Sequence, residues 1–261
     1  MRESFYQILA KTDLSEEDRK KLEGMFKRLE EEHRLLKEVF SDISLVNKRI
    51  LDIGTGQGFA CKYLVENARE SLIVTIDIDP LCLNRVRNIV GEKINDIVFI
   101  KADLSDLSFI KANFFDIALS HYTLTTIEMK KMYDVLKEIH RVLSPGGLFI
   151  VVDGFGLGKV DEARKLTLKL EEIHHQLTGD EEEVDLEDLL TIFKDFSKFK
   201  VLEVKKLNEG RIDPTIEDYA YYLLSLTDDP NLKKIILEIC KKGSKIGFRE
   251  APDYAIYLQK I

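Results

Sequence analysis

The sequence has no tryptophan, only three cysteines and only five prolines among its 261 residues. Cys61, Cys82 and Cys240 form no Cys-x-x-Cys pair, so the sequence supports neither a disulfide framework nor a zinc site. No apolar run approaches the length of a membrane span, and residues 1–4 lack the apolar core of a signal peptide. We therefore expect a soluble, cytoplasmic protein with no membrane contact and no bound metal.

Positive charge is also scarce relative to negative charge. The chain carries 39 Lys and Arg against 47 Asp and Glu, a formal net charge of -8. Nucleic-acid-binding domains are normally basic, so this balance disfavours a nucleic-acid partner without excluding a local basic patch. Hydrophobic residues make up 44% of the chain and charged residues 33%, which is typical of a globular protein.

Apolar periodicity divides the chain into a helical start and an alternating body. Ser15 can cap a first helix, in which Leu22, Leu29, Leu36 and Phe40 recur at helical spacing. From Lys48 onward, short apolar strands alternate with amphipathic helices. The predicted strands are 49–53, 72–77, 97–101, 115–119, 148–153, 200–206 and 253–259. The predicted helices are 59–68, 80–90, 128–143, 160–177 and 186–196, followed by a helical excursion over 214–242.

This repetition predicts an α/β fold. The chain should form a doubly wound, mostly parallel seven-stranded sheet with helices on both faces, because right-handed crossovers lay the helices across a parallel sheet. The segment 253–259 returns after a long excursion, so we expect the last strand to insert antiparallel. An N-terminal helical arm and helical insertions complete the predicted fold.

Residues 50–58 read Ile-Leu-Asp-Ile-Gly-Thr-Gly-Gln-Gly, an apolar strand that leads through an acidic residue into a glycine turn. Glycines allow a ligand to approach the backbone closely, and the following helix offers free N–H groups. The dinucleotide fingerprint Gly-x-Gly-x-x-Gly fails here, because Phe59 stands where its third glycine belongs. Asp52 would also repel a pyrophosphate. The segment therefore favours a cofactor with a positive centre and an amino group.

Two further carboxylates follow predicted strands. Asp77 ends the second strand, about 20 residues beyond the glycines, where a carboxylate suits the two hydroxyls of a ribose. Asp103 follows the third strand and could accept from an exocyclic amine. Because ligands bind beyond the carboxyl ends of parallel strands, these residues predict a nucleoside site.

Five segments in order resemble the class I (Rossmann-like) S-adenosylmethionine-dependent methyltransferases. They are Leu-Asp-Ile-Gly-Thr-Gly-Gln-Gly at 51–58, Thr-Ile-Asp-Ile-Asp-Pro at 75–80, Lys-Ala-Asp-Leu at 101–104, Phe-Phe-Asp-Ile-Ala-Leu-Ser at 114–120 and Arg-Val-Leu-Ser-Pro-Gly-Gly-Leu-Phe-Ile at 141–150. The resemblance covers residues 48–153. It implies a Rossmann-like methyltransferase domain over 47–261, with helical elaborations at about 154–198 and 209–250, preceded by a helical arm or lid over 1–46.

The resemblance also implies S-adenosylmethionine as the cofactor and assigns residues to it by position. The implied cofactor-binding residues are Asp52, Gly54, Thr55 and Gly56 at the methionine part, Asp77 at the ribose, Ile78, Ala102, Asp103 and Leu104 at the adenine, and Ser120 beneath the methyl group. Asp52 would reach the ammonium group directly or through water. No metal ligand is implied.

A general base is needed when the methyl acceptor is a hydroxyl or a protonated amine. The best-placed candidate is His121, directly after Ser120 at the carboxyl edge of the sheet. The alternative is that His121 and Tyr122 cover the cofactor or pack the loop.

The acceptor is expected to be a small molecule, with an oxygen, nitrogen or carbon nucleophile. Base-amine methyltransferases carry an Asn/Asp-Pro-Pro-Tyr-like motif after the fourth strand, and cytosine carbon-5 enzymes carry a Pro-Cys, whereas this chain has Ser-His-Tyr-Thr at 120–123. The Asp-x-Ser/Thr-Asp-Pro pattern of aminopropyl transferases is absent too. An RNA or protein acceptor stays open, as does a non-catalytic module that binds S-adenosylmethionine or a partner.

Overall fold

The computed structural model describes residues 15–179, 184–213 and 217–261. The strands of the main sheet are β1 (Arg49–Ile53), β2 (Leu72–Asp77), β3 (Ile97–Lys101), β4 (Phe115–His121), β5 (Leu143–Gly154), β6 (Phe199–Lys206) and β9 (Asp253–Lys260). A second sheet pairs β7 (Ile212–Asp213) with β8 (Phe248–Arg249). The main sheet has the order β3-β2-β1-β4-β5-β9-β6.

Helices connect most of these strands. They are α1 (Glu16–Val39), α2 (Phe59–Asn67), α3 (Cys82–Val90), α4 (Met129–Val142), α5 (Glu162–Thr178), α6 (Leu186–Phe196), α7 (Glu217–Leu226) and α8 (Pro230–Ile246). None of the helices in the described part of the chain is long and apolar enough to cross a lipid bilayer.

The strand directions confirm the predicted α/β fold. The pairs that join β3, β2, β1, β4 and β5 are all parallel, whereas β9 is antiparallel to both β5 and β6. The strand order reverses between β1 and β4, which places Ile53 beside Ser120 at the carboxyl ends of the two strands. Ligands of open α/β sheets bind at this kind of switch point.

Apolar side chains of the sheet enter two buried layers. In β1, Ile50 faces the layer that contains α1, α2 and α3, and Leu51 and Ile53 face the layer that contains α4 and α6. This alternation follows from the two-residue period of a strand. Because both faces are covered, most residues of the central strands are apolar.

The C-terminal half of α1 packs into the main core. Leu35, Leu36, Val39 and Phe40 are all buried in the layer shared with α2 and α3. The hydroxyl of Tyr257 in β9 donates to the carbonyl of Val39, 2.9 Å away. The end of α1 is therefore fixed against the sheet.

The later helices build a separate small core. It combines α5, α7, α8 and β8, and its buried members are Leu170, Ile173, Ala220, Leu223, Ile236, Ile239 and Phe248. The two helical elaborations thus pack on each other as well as on the sheet.

Two strand boundaries differ from the sequence-based prediction by more than one residue. β4 continues past Leu119 through Ser120 to His121, because both residues pair with β5. β5 begins at Leu143 instead of residue 148, and its register with β4 shifts between Phe115 and Ile117 to accommodate the extra residues. Residues 1–14 of the predicted arm and residues 214–216 of the predicted excursion lie outside the described residues.

Candidate active site at the carboxyl ends of the strands

The glycine turn after β1 adopts a conformation that side chains rarely permit. Gly54, Gly56 and Gly58 have φ values of 77°, 51° and 86°. A Cβ on Gly54 would lie 2.1 Å from Oγ1 of Thr123, whereas no atom lies within 4 Å of the Cβ position of Gly56. The turn is therefore packed against the loop after β4 at its first glycine and open at its second, so a ligand could approach the backbone of Gly56.

Asp52 lies beneath this turn and is fully buried. Its Oδ2 accepts hydrogen bonds from Thr75 Oγ1 at 2.8 Å and Cys61 Sγ at 3.1 Å. Its Oδ1 is also buried and has no hydrogen-bond partner among the described residues. Burial raises the pKa of Asp52, against the lowering effect of these two hydrogen bonds. The carboxylate therefore keeps one oxygen available for a donor such as an ammonium group.

Thr55, expected at the methionine part, turns its side chain into the protein. Its Oγ1 lies 2.6 Å from Oγ1 of Thr75. Because the single hydroxyl proton of Thr75 is directed at Asp52, Thr55 must be the donor between the two threonines. Only the backbone of Thr55 is then free to face a ligand.

Asp77 ends β2 as predicted and already holds two backbone groups. Its Oδ2 accepts from the N–H of Gly56 at 3.0 Å, and its Oδ1 accepts from the N–H of Asp79 at 2.9 Å. The neighbouring Ile78 is 63% exposed, so its apolar side chain presents an open surface beside the carboxylate. The structure thus brings the predicted ribose and adenine contacts next to the glycine turn.

Asp103 lies one loop further along the sheet edge. Its Oδ1 accepts from the N–H and the hydroxyl of Ser105, and its Oδ2 lies 3.4 Å from Nζ of Lys131. The hydrogen bonds from Ser105, followed by the charge of Lys131, lower the pKa of Asp103. Ala102 and Leu104 flank it as partly buried residues, and the N–H of Ala102 donates to the carbonyl of Asp77.

Ser120 lies inside β4, opposite Ile53 of β1, and is fully buried. Its Oγ accepts a hydrogen bond from the N–H of Leu124 at 3.1 Å. The loop after β4 thus uses one acceptor site of this hydroxyl, which can also donate its own proton.

His121 lies at the end of β4 and pairs with a carboxylate of α1. Its Nε2 is 3.0 Å from Oε2 of Glu32, and the two side chains are 7% and 1% exposed. Asp52 and Asp153, the acidic residues near the ends of the adjacent strands, lie close enough to interact electrostatically with the imidazole of His121. The structure thus places the predicted base candidate among three carboxylates.

Tyr122 joins His121 to the late segments of the chain. Its backbone is in the left-handed region, with φ of 53°, and its hydroxyl donates to Oδ1 of Asp253 at 2.6 Å. Arg211 donates to the same hydroxyl and forms ion pairs with Glu32 and Asp253, both at 2.9 Å. Burial, followed by the charges of Glu32 and Asp253, raises the pKa of Tyr122 well above its usual range.

Asp153 is a candidate functional residue that sequence reasoning missed. It lies near the end of β5 and is 6% exposed. Oδ2 accepts from Thr125 Oγ1 at 2.7 Å, and Oδ1 accepts from the N–H of Gly154. Burial raises the pKa of Asp153 to about 6. The available signal was its position, because Asp52 and Asp77 also stand at strand ends.

A cavity of about 360 Å³ lies between α1 and the loop at residues 207–212. Its walls include Glu31 and Arg34 of α1, together with Asn208 and Arg211. Its lining includes none of the acidic residues at the strand ends, so this cavity is separate from the candidate site. Elsewhere, among the described residues, no three His, Cys, Asp or Glu side chains are arranged to hold a metal ion.

The part of the chain that contains these strand ends is similar in sequence to a known family. Residues 51–151 match the sequence model of a family described as a methyltransferase domain. A search of curated protein sequences found no match.

Several solved structures share the fold at low sequence identity. A candidate sarcosine dimethylglycine methyltransferase from Galdieria sulphuraria is 17% identical, with a TM-score of 0.58 over 89% of this chain and 86% of that chain. A chain from the complex between the Haloferax volcanii Trm112 methyltransferase activator and its methyltransferase is 17% identical, with a TM-score of 0.57 over 100% of this chain and 98% of that chain. The [4+2]-cyclase SpnF is also 17% identical, with a TM-score of 0.57 over 87% and 80%.

The fold is that of the class I methyltransferases, and residues 51–151 match a methyltransferase domain. These two findings support the S-adenosylmethionine-dependent methyltransferase that the five ordered motifs predicted, with S-adenosylmethionine as the implied cofactor.

Proposed function

We propose that the enzyme methylates a small-molecule acceptor whose nucleophile carries a proton, with His121 as the general base. Residues 47–261 would form the catalytic domain, and residues 1–46 an arm that closes one side of the acceptor site. The observation that carries the proposal is the buried pair of His121 and Glu32 at the carboxyl edge of the sheet, 3.0 Å apart.

The polar groups around the glycine turn fit the methionine part of the cofactor. Oδ1 of Asp52 is a buried acceptor with no partner among the described residues, and such an oxygen suits the ammonium group or a water bound to it. Gly54 and Gly56 supply backbone without side chains, and the open space at Gly56 leaves room for a ligand.

The next two strand ends fit the nucleoside part. Asp77 would accept from the ribose hydroxyls, and the exposed Ile78 would pack on the adenine. Asp103, with Ala102 and Leu104 beside it, would accept from the adenine amine, although Lys131 is a competing donor 3.4 Å away. Thr55 would contribute through its backbone, because its hydroxyl proton is donated to Thr75. Ser120 would do the same, because its side chain is fully buried.

S-adenosylmethionine supplies, when bound, a methyl group activated by a positively charged sulfur. The residues at the end of β4 would orient the acceptor, and His121 would take its proton. A hydroxyl or an ammonium must lose that proton to become a methylated product, so a base at this position has a chemical purpose. The resulting imidazolium would face the carboxylate of Glu32, which stabilises it.

The enclosure of the β4 end supports a small acceptor. Glu32 of α1, Arg211 and Asp253 converge on His121 and Tyr122 and close this part of the edge. The net charge of -8 adds no general attraction for nucleic acid. Cys61 and Cys82 are free thiols, which supports a reducing compartment such as the cytoplasm.

The proposal is tested by incubating purified protein and methyl-labelled S-adenosylmethionine with small-metabolite, RNA and protein pools. Label recovered in a small molecule with an oxygen- or nitrogen-bound methyl group is the expected result. Label only in RNA or protein would overturn the choice of acceptor. Binding of S-adenosylmethionine by calorimetry with no label transferred to any pool would favour a chain that uses the cofactor without methyl transfer, and the solved [4+2]-cyclase shows that this fold hosts other activities.

A further inference from the structure

Glu32 is a helix residue with a buried carboxylate. Only 1% of it is exposed, and both of its oxygens have hydrogen-bond partners. Oε1 accepts from Nε of Arg28 at 2.8 Å and from Arg211 at 2.9 Å. Oε2 faces Nε2 of His121 at 3.0 Å. The carboxylate thus connects α1, the end of β4 and the loop after β6.

We propose that Glu32 is a positioning residue for His121, so that α1 forms part of the catalytic site. This inference rests on the proposed function, in which His121 accepts the proton of the methyl acceptor. It goes further, because it says which nitrogen of the His121 ring takes that proton and which residue holds the ring in place.

The ion pairs keep Glu32 in its charged form. Burial acts to raise its pKa, but the hydrogen bond from His121 and the charges of Arg211 and Arg28, joined by that of His121 when the ring is protonated, outweigh burial and hold that pKa well below its usual range. An ionised carboxylate can only accept hydrogen bonds, so Nε2 of His121 must carry the proton that lies between the two side chains.

This proton arrangement selects one tautomer of the neutral imidazole. With its hydrogen on Nε2, the ring has its lone pair on Nδ1, which is then the nitrogen that can accept a proton. The acceptor proton would move to Nδ1, the imidazolium would be balanced by Glu32, and the proton would later leave to water. No bond to His121 other than N–H forms or breaks in this step.

The titratable groups around His121 come from three elements of the fold, α1, β1 and β5, and from the loop after β4. Glu32 approaches from α1, Asp52 from β1 and Asp153 from β5, and the Tyr122 ring packs edge-on with its centroid 4.6 Å from that of His121. Among these groups, only Glu32 makes a hydrogen bond to the imidazole in the described part of the chain. Orientation of the ring is therefore assigned to Glu32.

Glu32 is itself held on both sides along α1. Leu35 and Leu36, in the turn after it, are buried in the main core. Arg28, one turn before it, forms ion pairs of 2.7 Å with both Asp213 and Glu250. A carboxylate fixed in this way can hold a ring in one orientation, which is what general-base catalysis requires.

A purely structural role for Glu32 is the competing explanation, since a buried ion cluster could simply fasten α1 to the domain. The two roles differ in the state of the imidazole. A positioning role fixes the His121 tautomer and shapes the pH dependence of turnover, whereas a fastening role changes stability and leaves both unaltered.

The test compares Glu32→Gln and Glu32→Asp with Glu30→Gln, which removes the same charge from an exposed position of α1. Arg28→Gln removes one of the donors that hold Glu32, so we expect it to change the pH profile in the same direction as Glu32→Gln but by less. With the acceptor found in the labelling screen, kcat and KM are measured against pH. For Glu32→Gln we expect kcat to fall by about 10- to 1000-fold with a displaced acidic limb, while KM for both substrates changes less than about threefold. Glu32→Asp should recover part of the loss.

A readout without turnover keeps the inference testable if a variant is inactive for another reason. In protein labelled with ¹⁵N at histidine, the imidazole shifts of His121 should show a protonated Nε2 in the parent and in Glu30→Gln, and a mixed population in Glu32→Gln. An unchanged tautomer and an unchanged pH profile in Glu32→Gln would overturn the role of Glu32. Full activity of His121→Ala would instead overturn the base role in the proposed function, so the two failures are distinguishable.

Discussion

Asp77 accepts a hydrogen bond of 3.0 Å from the backbone N–H of Gly56, so the carboxylate that ends β2 is tied to the glycine turn after β1. The link is exposed, and the turn contributes only its backbone to it. It sets the separation between the surfaces proposed to hold the ribose and the methionine part of the cofactor.

Asp77→Ala should weaken S-adenosylmethionine binding by about 1 to 3 kcal/mol, because the ribose hydroxyls would lose their acceptor. Calorimetry gives the affinity directly. The matched control is Asp79→Ala, which removes a carboxylate two residues away that is engaged with Leu81 and Arg85. Equal affinities for the parent and Asp77→Ala would show that the ribose is held elsewhere.

Gly54→Ala should destabilise the fold more than Gly56→Ala. Both positions have positive φ, which costs a non-glycine residue about 1 kcal/mol, but only the Cβ on Gly54 would overlap the Thr123 side chain, at 2.1 Å. We expect a further loss of about 1 to 3 kcal/mol from this overlap, measured by urea unfolding. Thr123→Ala combined with Gly54→Ala should recover part of it. A Gly56→Ala loss as large as that of Gly54→Ala would contradict the packing described here.

Asp153 should make stability depend on pH. Its folded pKa of about 6 lies above the ordinary value of 3.8, so the folded state binds the proton more tightly than the unfolded state. The stabilisation from this group is therefore complete below about pH 4 and is lost as the pH rises through about 6. Urea unfolding of the parent and Asp153→Asn at pH 4, 5, 6 and 7 should show the parent losing up to about 3 kcal/mol relative to the variant. A difference that stays constant with pH would show that folding does not raise the pKa of Asp153.

Tyr122→Phe should reduce stability by about 1 to 3 kcal/mol, because Oδ1 of Asp253 would lose a donor 2.6 Å away in a buried site. Tyr221→Phe is the matched control, since Tyr221 is 65% exposed. Thermal unfolding of both variants and the parent provides the comparison. Similar transition temperatures in all three would mean that solvent replaces the lost hydroxyl.

Much of the sheet could be predicted from the sequence because central strands are short apolar runs bounded by polar residues. β1, β2 and β3 begin and end as predicted. The end of β4 was missed because Ser120 and His121 are polar residues inside a strand, where they are held by pairing with Val151 and Val152 of β5. Pairing of this kind depends on a distant segment and leaves no local signal.

Only part of the candidate site could be predicted from the sequence, for a related reason. Acidic residues after apolar strands could be found, because all such ends meet at one edge of the sheet. The direction of a polar side chain could not be predicted, because both faces of a parallel sheet are apolar. In the structure, the side chains of Thr55 and Ser120 point into the protein. Glu32 was hidden because Arg28 and Glu32, one helical turn apart, read as an ordinary surface pair, and its partner His121 lies 89 residues away.

The position of β9 between β5 and β6 has a consequence for the order of folding. β6 pairs only with β9 in the described sheet, so it cannot join before the segment that begins at Asp253 is in place. Closing so long a loop is slow, and the five parallel strands can assemble first. Arg211 and Asp253, which bind Glu32 and Tyr122, belong to these late segments. The surroundings of His121 would therefore be completed in the final step of folding. A chain arrested before that step could have a formed glycine turn but an incomplete acceptor site.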